Sequence, residues 1–239
     1  MLELGAGTGK LTEQLVALGH EVHATDPDPQ MLALLEKKLP DVRVSQAPAE
    51  DIPSGDASYD VVVCGQAFHW FDVERALPEI ARVLKPRGRL SLVWNQRDER
   101  IPWVKRLGAI IGTQDQLRHP AEKLAASKLF GDVEEASFKF WQVIDRNSIR
   151  DLVRSRSNVA VLGEAEQEAK MAEVLSFYDD FGRGMDGMQL PYAASCFRVQ
   201  VLDRVTPTLT DSGSGSVSDD TGNVVSDGSS TDMLLIDFR

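Results

Sequence analysis

The chain has 239 residues, 42% hydrophobic and 26% charged, with a formal net charge of −11. That length supports one large domain or two small ones, and the acidity argues against nonspecific nucleic-acid binding through a broad basic surface. No run approaches the roughly 20 apolar residues of a membrane helix, and Met1-Leu2-Glu3-Leu4 lacks the basic and apolar regions of a signal peptide. A cytoplasmic chain without a membrane partner is the expectation.

Leu2 to Leu4 reads as the end of a strand running into glycines. Lys10 to Leu18 predicts a helix with Leu11, Leu15, Val16 and Leu18 on one face, stopped by Gly19. Glu21 to Thr25 is a short strand ending at Asp26. Pro29 to Leu39 is a helix with Met31, Leu32, Leu35 and Leu39 as its stripe, and Val42 to Ser45 is a strand. The apolar run Val61 to Cys64 suits a strand covered on both faces. Val73 to Leu84 is a helix closed by Lys85-Pro86-Arg87-Gly88, and Leu90 to Trp94 is a strand. This alternation implies βαβ units on a mostly parallel sheet, and right-handed crossovers make it a doubly wound α/β fold.

After Asn95 the pattern changes. Residues 103 to 129 and 148 to 180 look helical. Ala136 to Ile144, with Phe138, Phe140 and Trp141, and Ala194 to Leu202 read as strands. An antiparallel edge hairpin with a helical lid is expected. Asp211 to Ser230 is mostly Ser, Gly, Asp and Thr and cannot bury enough apolar surface to offset its ordering entropy. The chain thus divides into a ligand-binding core over 1–95, a lid and C-terminal part of the same domain over 96–202, and a disordered acidic tail over 203–239. Cys64 and Cys196 read as buried free thiols. The four histidines, His20, His23, His69 and His119, lack metal-ligand spacing, so no metal is expected.

Glu3-Leu4-Gly5-Ala6-Gly7-Thr8-Gly9 carries most of the functional signal. Glycines between a strand and a helix let backbone approach a ligand closely. Asp26 follows Gly5 by 21 residues, about the separation at which an acid meets ribose hydroxyls in nucleotide-binding α/β folds. A dinucleotide fingerprint needs a small residue where Lys10 stands. A P-loop needs glycine at Leu4 and Ser or Thr at Leu11. The remaining pattern, an acid two residues before three alternating glycines, disfavours a pyrophosphate and suits a ligand with an amino-acid ammonium beside a ribose.

On these residues the chain resembles the class I S-adenosylmethionine-dependent methyltransferases, whose Rossmann-like fold matches the expected architecture. Four further blocks carry the resemblance: Ala47 to Pro53, Ser58 to Val63, Gln66-Ala67-Phe68-His69-Trp70-Phe71 of an A-F-H-W-F subgroup, and Arg82 to Pro86 followed by Gly88. Ser155-Arg156-Ser157 and Leu190-Pro191-Tyr192 also occur in that subgroup. The resemblance implies S-adenosyl-L-methionine as cofactor. Glu3 would face the methionine ammonium, the backbone of Gly5, Ala6, Gly7, Thr8 and Gly9 would lie against the methionine moiety, and Asp26 would bind the ribose. Pro27 and Met31 would pack on the adenine, Ala49 and Glu50 would line its edge, and Gln66 and Ala67 would flank the methionine end. Met31 also fits a core position, and Glu50 and Asp51 also fit solvated loop charges.

The family places about 30 or more residues before this turn, so the chain reads as N-terminally shortened. Pro48 stands where many relatives carry an acid, and Arg87 stands where a glycine is common. His69 is the candidate catalytic residue, as base or as orienter of the acceptor, against a reading as a packed core ring. Trp70 and Phe71 are either an acceptor wall or core aromatics. Arg154, Arg156 and Tyr192 are candidates for an acidic acceptor, against solvated helix charges. The implied reaction is in-line methyl transfer to a small-molecule acceptor. A cofactor-binding protein without turnover and an NAD-dependent oxidoreductase are the competing classes. The acceptor and the oligomeric state are not encoded in any motif.

Overall fold

Leu2–Leu4 forms β1, the centre of a seven-stranded sheet, and all three residues are buried. A computed structural model describes residues 1–112, 120–154, 159, 162–181 and 187–202. Around β1 lie β2 (His23–Asp26), β3 (Arg43–Gln46), β4 (Tyr59–Gly65), β5 (Leu84–Arg97), β6 (Glu134–Ile144) and β7 (Met188–Gln200). Their order is β3-β2-β1-β4-β5-β7-β6. The first five strands run parallel, and β7 runs antiparallel to both β5 and β6. The mostly parallel, doubly wound sheet with an antiparallel edge hairpin is therefore as the sequence predicts. The chain leaves β1 toward β2 on one side and returns as β4 on the other. The carboxyl ends of β1 and β4 thus bound the crevice where open α/β sheets bind ligands.

The helices are α1 (Lys10–Ala17), α2 (Pro29–Lys38), α3 (Val73–Val83), α4 (Pro102–Ile111), α5 (Pro120–Ala126), α6 (Arg146–Arg154) and α7 (Glu164–Phe181), with a 3-10 turn at Phe68–Trp70. Asp28 caps α2, its carboxylate accepting from the Gln30 backbone N–H at 2.8 Å, and Pro29 opens the first turn, as helix starts favour. None of the described helices is long and apolar enough to cross a membrane.

One core cluster packs β1, β4 and β5 against α3, with Leu2, Leu4, Val62, Ile80, Leu90 and Leu92 at its centre. A second joins Val104, Leu107, Ile149, Val153, Val174 and Phe177 from α4, α6 and α7 to Leu190 and Tyr192 of β7. The helical stripes differ from expectation. In α1 the buried residues are Thr12 and Leu15, while Val16 and Leu18 are exposed. In α2 they are Leu32 and Leu35, and Met31 is 40% exposed, so its core reading is overturned. Short helices on a sheet bury a narrow face, and residues 100° off it turn to solvent.

The strands β5 and β7 extend beyond their apolar stretches. Asn95, Gln96 and Arg97 stay in the ladder because Ala194, Ala193 and Tyr192 stand opposite them. Cys64 is buried, but Cys196 is only half-buried, which corrects its expected burial. Arg87 holds a left-handed φ of 64°. The glycine beside it, Gly88, admits no side chain, since a Cβ would meet the Lys85 carbonyl at 2.8 Å. Residues 203–239, expected as a tail, lie outside the described residues.

Candidate active site

The site grows from the turn after β1. Gly5 has φ 68°, and a Cβ there would sit 2.4 Å from the Ala67 Cβ, so a side chain fails on both backbone and packing grounds. Gly7 has φ 56° with open space where a Cβ would project, a surface that backbone alone presents. The turn is tied to β2: the Ala6 N–H donates to the Thr25 carbonyl at 3.0 Å, and the Gly7 N–H donates to Asp26 Oδ2 at 2.8 Å. Asp26 Oδ1 accepts from the Asp28 N–H at 2.9 Å. One carboxylate thus fixes two loops, and each oxygen keeps a lone pair for a further donor.

Glu3 is the most constrained ionisable group here. Its side chain is 1% exposed, and Oε2 has no hydrogen-bond partner among the described residues. Burial pushes its carboxyl up to about 7; the nearby Thr12 hydroxyl draws it down, and the Asp26 charge raises it further. The Thr12 hydroxyl is itself buried without a hydrogen-bond partner among the described residues. Two buried polar side chains set this way beside a glycine turn mark a candidate site.

The rim continues through β3 and β4. The Ala47 N–H donates to the Asp26 carbonyl at 3.2 Å, and Ala49 is buried. Glu50 is neither a free loop charge nor committed to a ligand. Its Oε1 accepts from the Asp72 N–H at 2.7 Å, at the start of α3. Asp51 is exposed. The loop between β3 and β4 is clamped by Arg82, which donates to the Ile52 and Ser54 carbonyls, to Asp56 and twice to Glu79. Gln66 adopts φ 62°; its N–H donates to the Val93 carbonyl at 2.9 Å and its side-chain amide to the Asn95 carbonyl at 3.1 Å. Pro27 is exposed, with its carbonyl accepting from Gln46 at 3.1 Å.

The candidates expected to touch the acceptor separate. His69 is half-buried in the 3-10 turn, with its ring 4.7 Å from that of Trp70. Its Nδ1 is buried without a partner among the described residues. Burial and then Lys123 of α5 hold its proton affinity below the usual histidine range. Trp70 is 69% exposed, which overturns its core reading, whereas Phe71 packs against the main core. Tyr192 is buried in the second core and stacked on Phe140 at 5.2 Å. Its ring is therefore core rather than an open acceptor contact. Arg154 is exposed at the end of α6. Arg156, with Ser155 and Ser157, lies outside the described residues.

The structure thus brings Glu3 to Gly9, Asp26, Ala47 to Glu50, Gln66 and Ala67 to the carboxyl ends of β1 to β4. Sequence reasoning missed Thr12 and Lys123. Thr12 stands three residues before Leu15 on the buried face, a signal that was present but masked by apolar neighbours. Lys123 carried no local signal.

Strand order and glycine turn define a doubly wound α/β protein of the methyltransferase type. The family model described as "Methyltransferase domain" matches residues 2–92. An uncharacterised methyltransferase of Mycobacterium tuberculosis is 40% identical over 203 residues, covering 83% of this chain and 82% of its own. An uncharacterised methyltransferase-like protein of Schizosaccharomyces pombe is 40% identical over 184 residues, covering 73% and 70%. The chain belongs to the class I S-adenosylmethionine-dependent methyltransferases. Two solved structures share the fold at low identity. One, from Anaeromyxobacter dehalogenans and described as a type II methyltransferase, has TM-score 0.62 at 22% identity, over 84% of this chain and 88% of that one. The other, Haemonchus contortus phosphoethanolamine N-methyltransferase 2 in complex with S-adenosyl-L-methionine, has TM-score 0.51 at 16% identity, over 85% and 48%.

Proposed function

We propose that this chain binds S-adenosyl-L-methionine at the crevice and transfers its methyl group to a small-molecule acceptor by in-line displacement. The observation that carries the reading is the buried carboxyl of Glu3 beside the glycine turn, whose Oε2 has no hydrogen-bond partner among the described residues. A carboxyl that burial leaves near its neutral form gains most from an ammonium placed against it. A pyrophosphate would meet like charge there, which disfavours a dinucleotide. Asp26, with lone pairs left on both oxygens, suits a sugar diol, and the side-chain-free backbone at Gly7 leaves room for an aminoacyl chain.

The bound cofactor supplies a methyl activated by a sulfonium, so the chain need not generate an electrophile. Glu3 and Asp26 hold the two ends of the nucleoside amino acid and fix its direction. Ala67 and the turn backbone close one wall and exclude water. In this reading His69, whose proton affinity burial and Lys123 lower, acts as base or as orienter of the acceptor near the carboxyl end of β4. Exposed Trp70 offers an apolar wall beside it.

Isothermal titration of the full chain with S-adenosylhomocysteine tests the binding step, with NADH as the competing ligand. Heat for the former and none for the latter supports the reading. No heat at millimolar S-adenosylhomocysteine overturns it. Binding without methyl transfer to any member of a broad acceptor panel would favour a cofactor-binding protein without turnover.

A further inference from the structure

The outermost strand of the sheet is left open. Among the described residues β6 pairs with β7 only, so its other edge presents unpaired backbone donors and acceptors. Ten consecutive residues, Glu134 to Val143, are exposed. Among them Phe138 is 48%, Trp141 62% and Val143 59% exposed. A long, flat edge strand with large apolar side chains is normally blunted, by proline, by a bulge or by a covering element. From Glu134 to Ile144 the pairing with β7 runs without a register break, and the strand contains no proline.

The charges on this strand specify what covers it. Glu135 and Lys139 are four residues apart and so lie on one face of the strand. Neither forms an ion pair among the described residues; Lys139 exerts only a through-space pull on Asp98, which is paired with Arg100. Two copies of a strand related by a twofold axis through the sheet pair antiparallel, each residue opposite one an equal distance beyond the centre. With Ser137 at the centre, Glu135 of each copy stands opposite Lys139 of the other. The same register puts Phe138 opposite Ala136, and Trp141 opposite Val133, which is itself half-buried against the main core. Centring on Lys139 instead would oppose two like charges, which is destabilising. Centring on Phe138 would set Glu135 against Trp141. Opposite-charge pairs directly across an antiparallel ladder are stabilising, and here symmetry makes two of them.

We propose that the occupant of this edge is a second copy of the chain, joined β6 to β6 about Ser137 into one continuous sheet. The two crevices lie at the carboxyl ends of β1 and β4, so the joint leaves both open. One strand pair with its apolar flanks is a small interface, at the low end for protein complexes, so the dimer forms in a concentration-dependent equilibrium.

Sedimentation velocity of the full chain over a hundredfold range of concentration reads this directly, the mass rising from 26.3 kDa toward twice that value. Lys139→Glu sets Glu135 opposite a second carboxylate and should shift the midpoint to at least tenfold higher concentration; Glu135→Lys should do the same. The double swap, Glu135→Lys with Lys139→Glu, should restore the original midpoint. Both positions are exposed, so circular dichroism of each variant should match the parent. A chain that stays monomeric throughout overturns the proposal, as does a dimer that neither single change weakens or that the swap does not rescue. Monomeric chain that instead binds phosphatidylcholine vesicles through Trp141 would reassign the edge to a lipid surface and equally overturn it.

Discussion

Residues 1 to 97 and residues 98 to 202 build the same sheet by opposite means. In the first part the notable groups are polar and hidden: Glu3, Thr25 and Asp26 are buried in the parallel layer and Thr12 on α1 beside it. In the second they are apolar and bare: Phe138, Trp141 and Val143 stand on an edge strand. Burying a polar group costs free energy unless a partner satisfies it. Polarity kept in the middle of the first part underlies the proposed ligand recognition, and apolar surface kept outside on the second underlies the proposed association.

The sharpest way to break that contrast is at Asp26. Asp26→Ala removes the acceptor of two backbone N–H groups as well as the expected ribose contact. Affinity for S-adenosylhomocysteine should fall about 10- to 100-fold, since a buried charged hydrogen bond is worth roughly 1.5–3 kcal/mol. Calorimetry with affinity unchanged would detach Asp26 from the ligand.

Gly5→Ala comes next. The added methyl collides with Ala67 at 2.4 Å and sits on a left-handed backbone. A loss of about 2–4 kcal/mol in urea unfolding is expected from strain and overpacking together.

Glu3→Gln separates stability from binding. Burial raises the folded-state carboxyl to about 7, above its unfolded value of about 4.3. The stability tied to its proton is complete below the unfolded value and is lost as pH rises through about 7, on the order of 4 kcal/mol at most. The glutamine variant should therefore gain stability relative to the parent between pH 5 and pH 8. In the parent, affinity for S-adenosylhomocysteine should rise between pH 6 and pH 7, because binding the ammonium requires the ionised carboxyl. The variant should bind more weakly, without that slope. A parallel pH dependence in both proteins would exclude Glu3 as the ammonium partner.

His69 should titrate by NMR with a midpoint below 6.5, because burial and Lys123 both disfavour its cation. Smallest of all, Arg154→Ala should move stability by no more than about 0.5 kcal/mol and leave cofactor affinity unaltered. A large loss there would bring α6 into the site.

The parallel half was largely legible because its signals are local. A strand buried on both faces is a run of Val, a glycine turn announces itself, and an acid at the end of β2 sits at a fixed distance. The acceptor side was not legible, for reasons of geometry. Tyr192 looked like a polar handle but stacks on Phe140 across the β6–β7 ladder, a contact set by register over some 50 residues of intervening chain. Trp70 looked like core because aromatic residues usually are. It is exposed because the 3-10 turn buries Phe68 and turns the residue two positions on outward. Glu50 was ambiguous until α3 placed the Asp72 N–H against it. Thr12 was hidden by its setting among leucines. Lys123 reaches the vicinity of His69 only through tertiary packing of α5.

Arg82 has a consequence for how a nucleoside would be received. All five guanidinium N–H groups are engaged, two of them on main-chain carbonyls of the β3–β4 loop and the others on Glu79 and Asp56, while Glu79 also accepts from the Ile52 N–H. This loop is therefore ordered when the protein folds, before any guest arrives. The entropy of shaping this loop is charged to folding, and under the proposed reading not to binding. Under that reading, affinity there would respond to Arg82 through the loop it clamps rather than through a contact of its own.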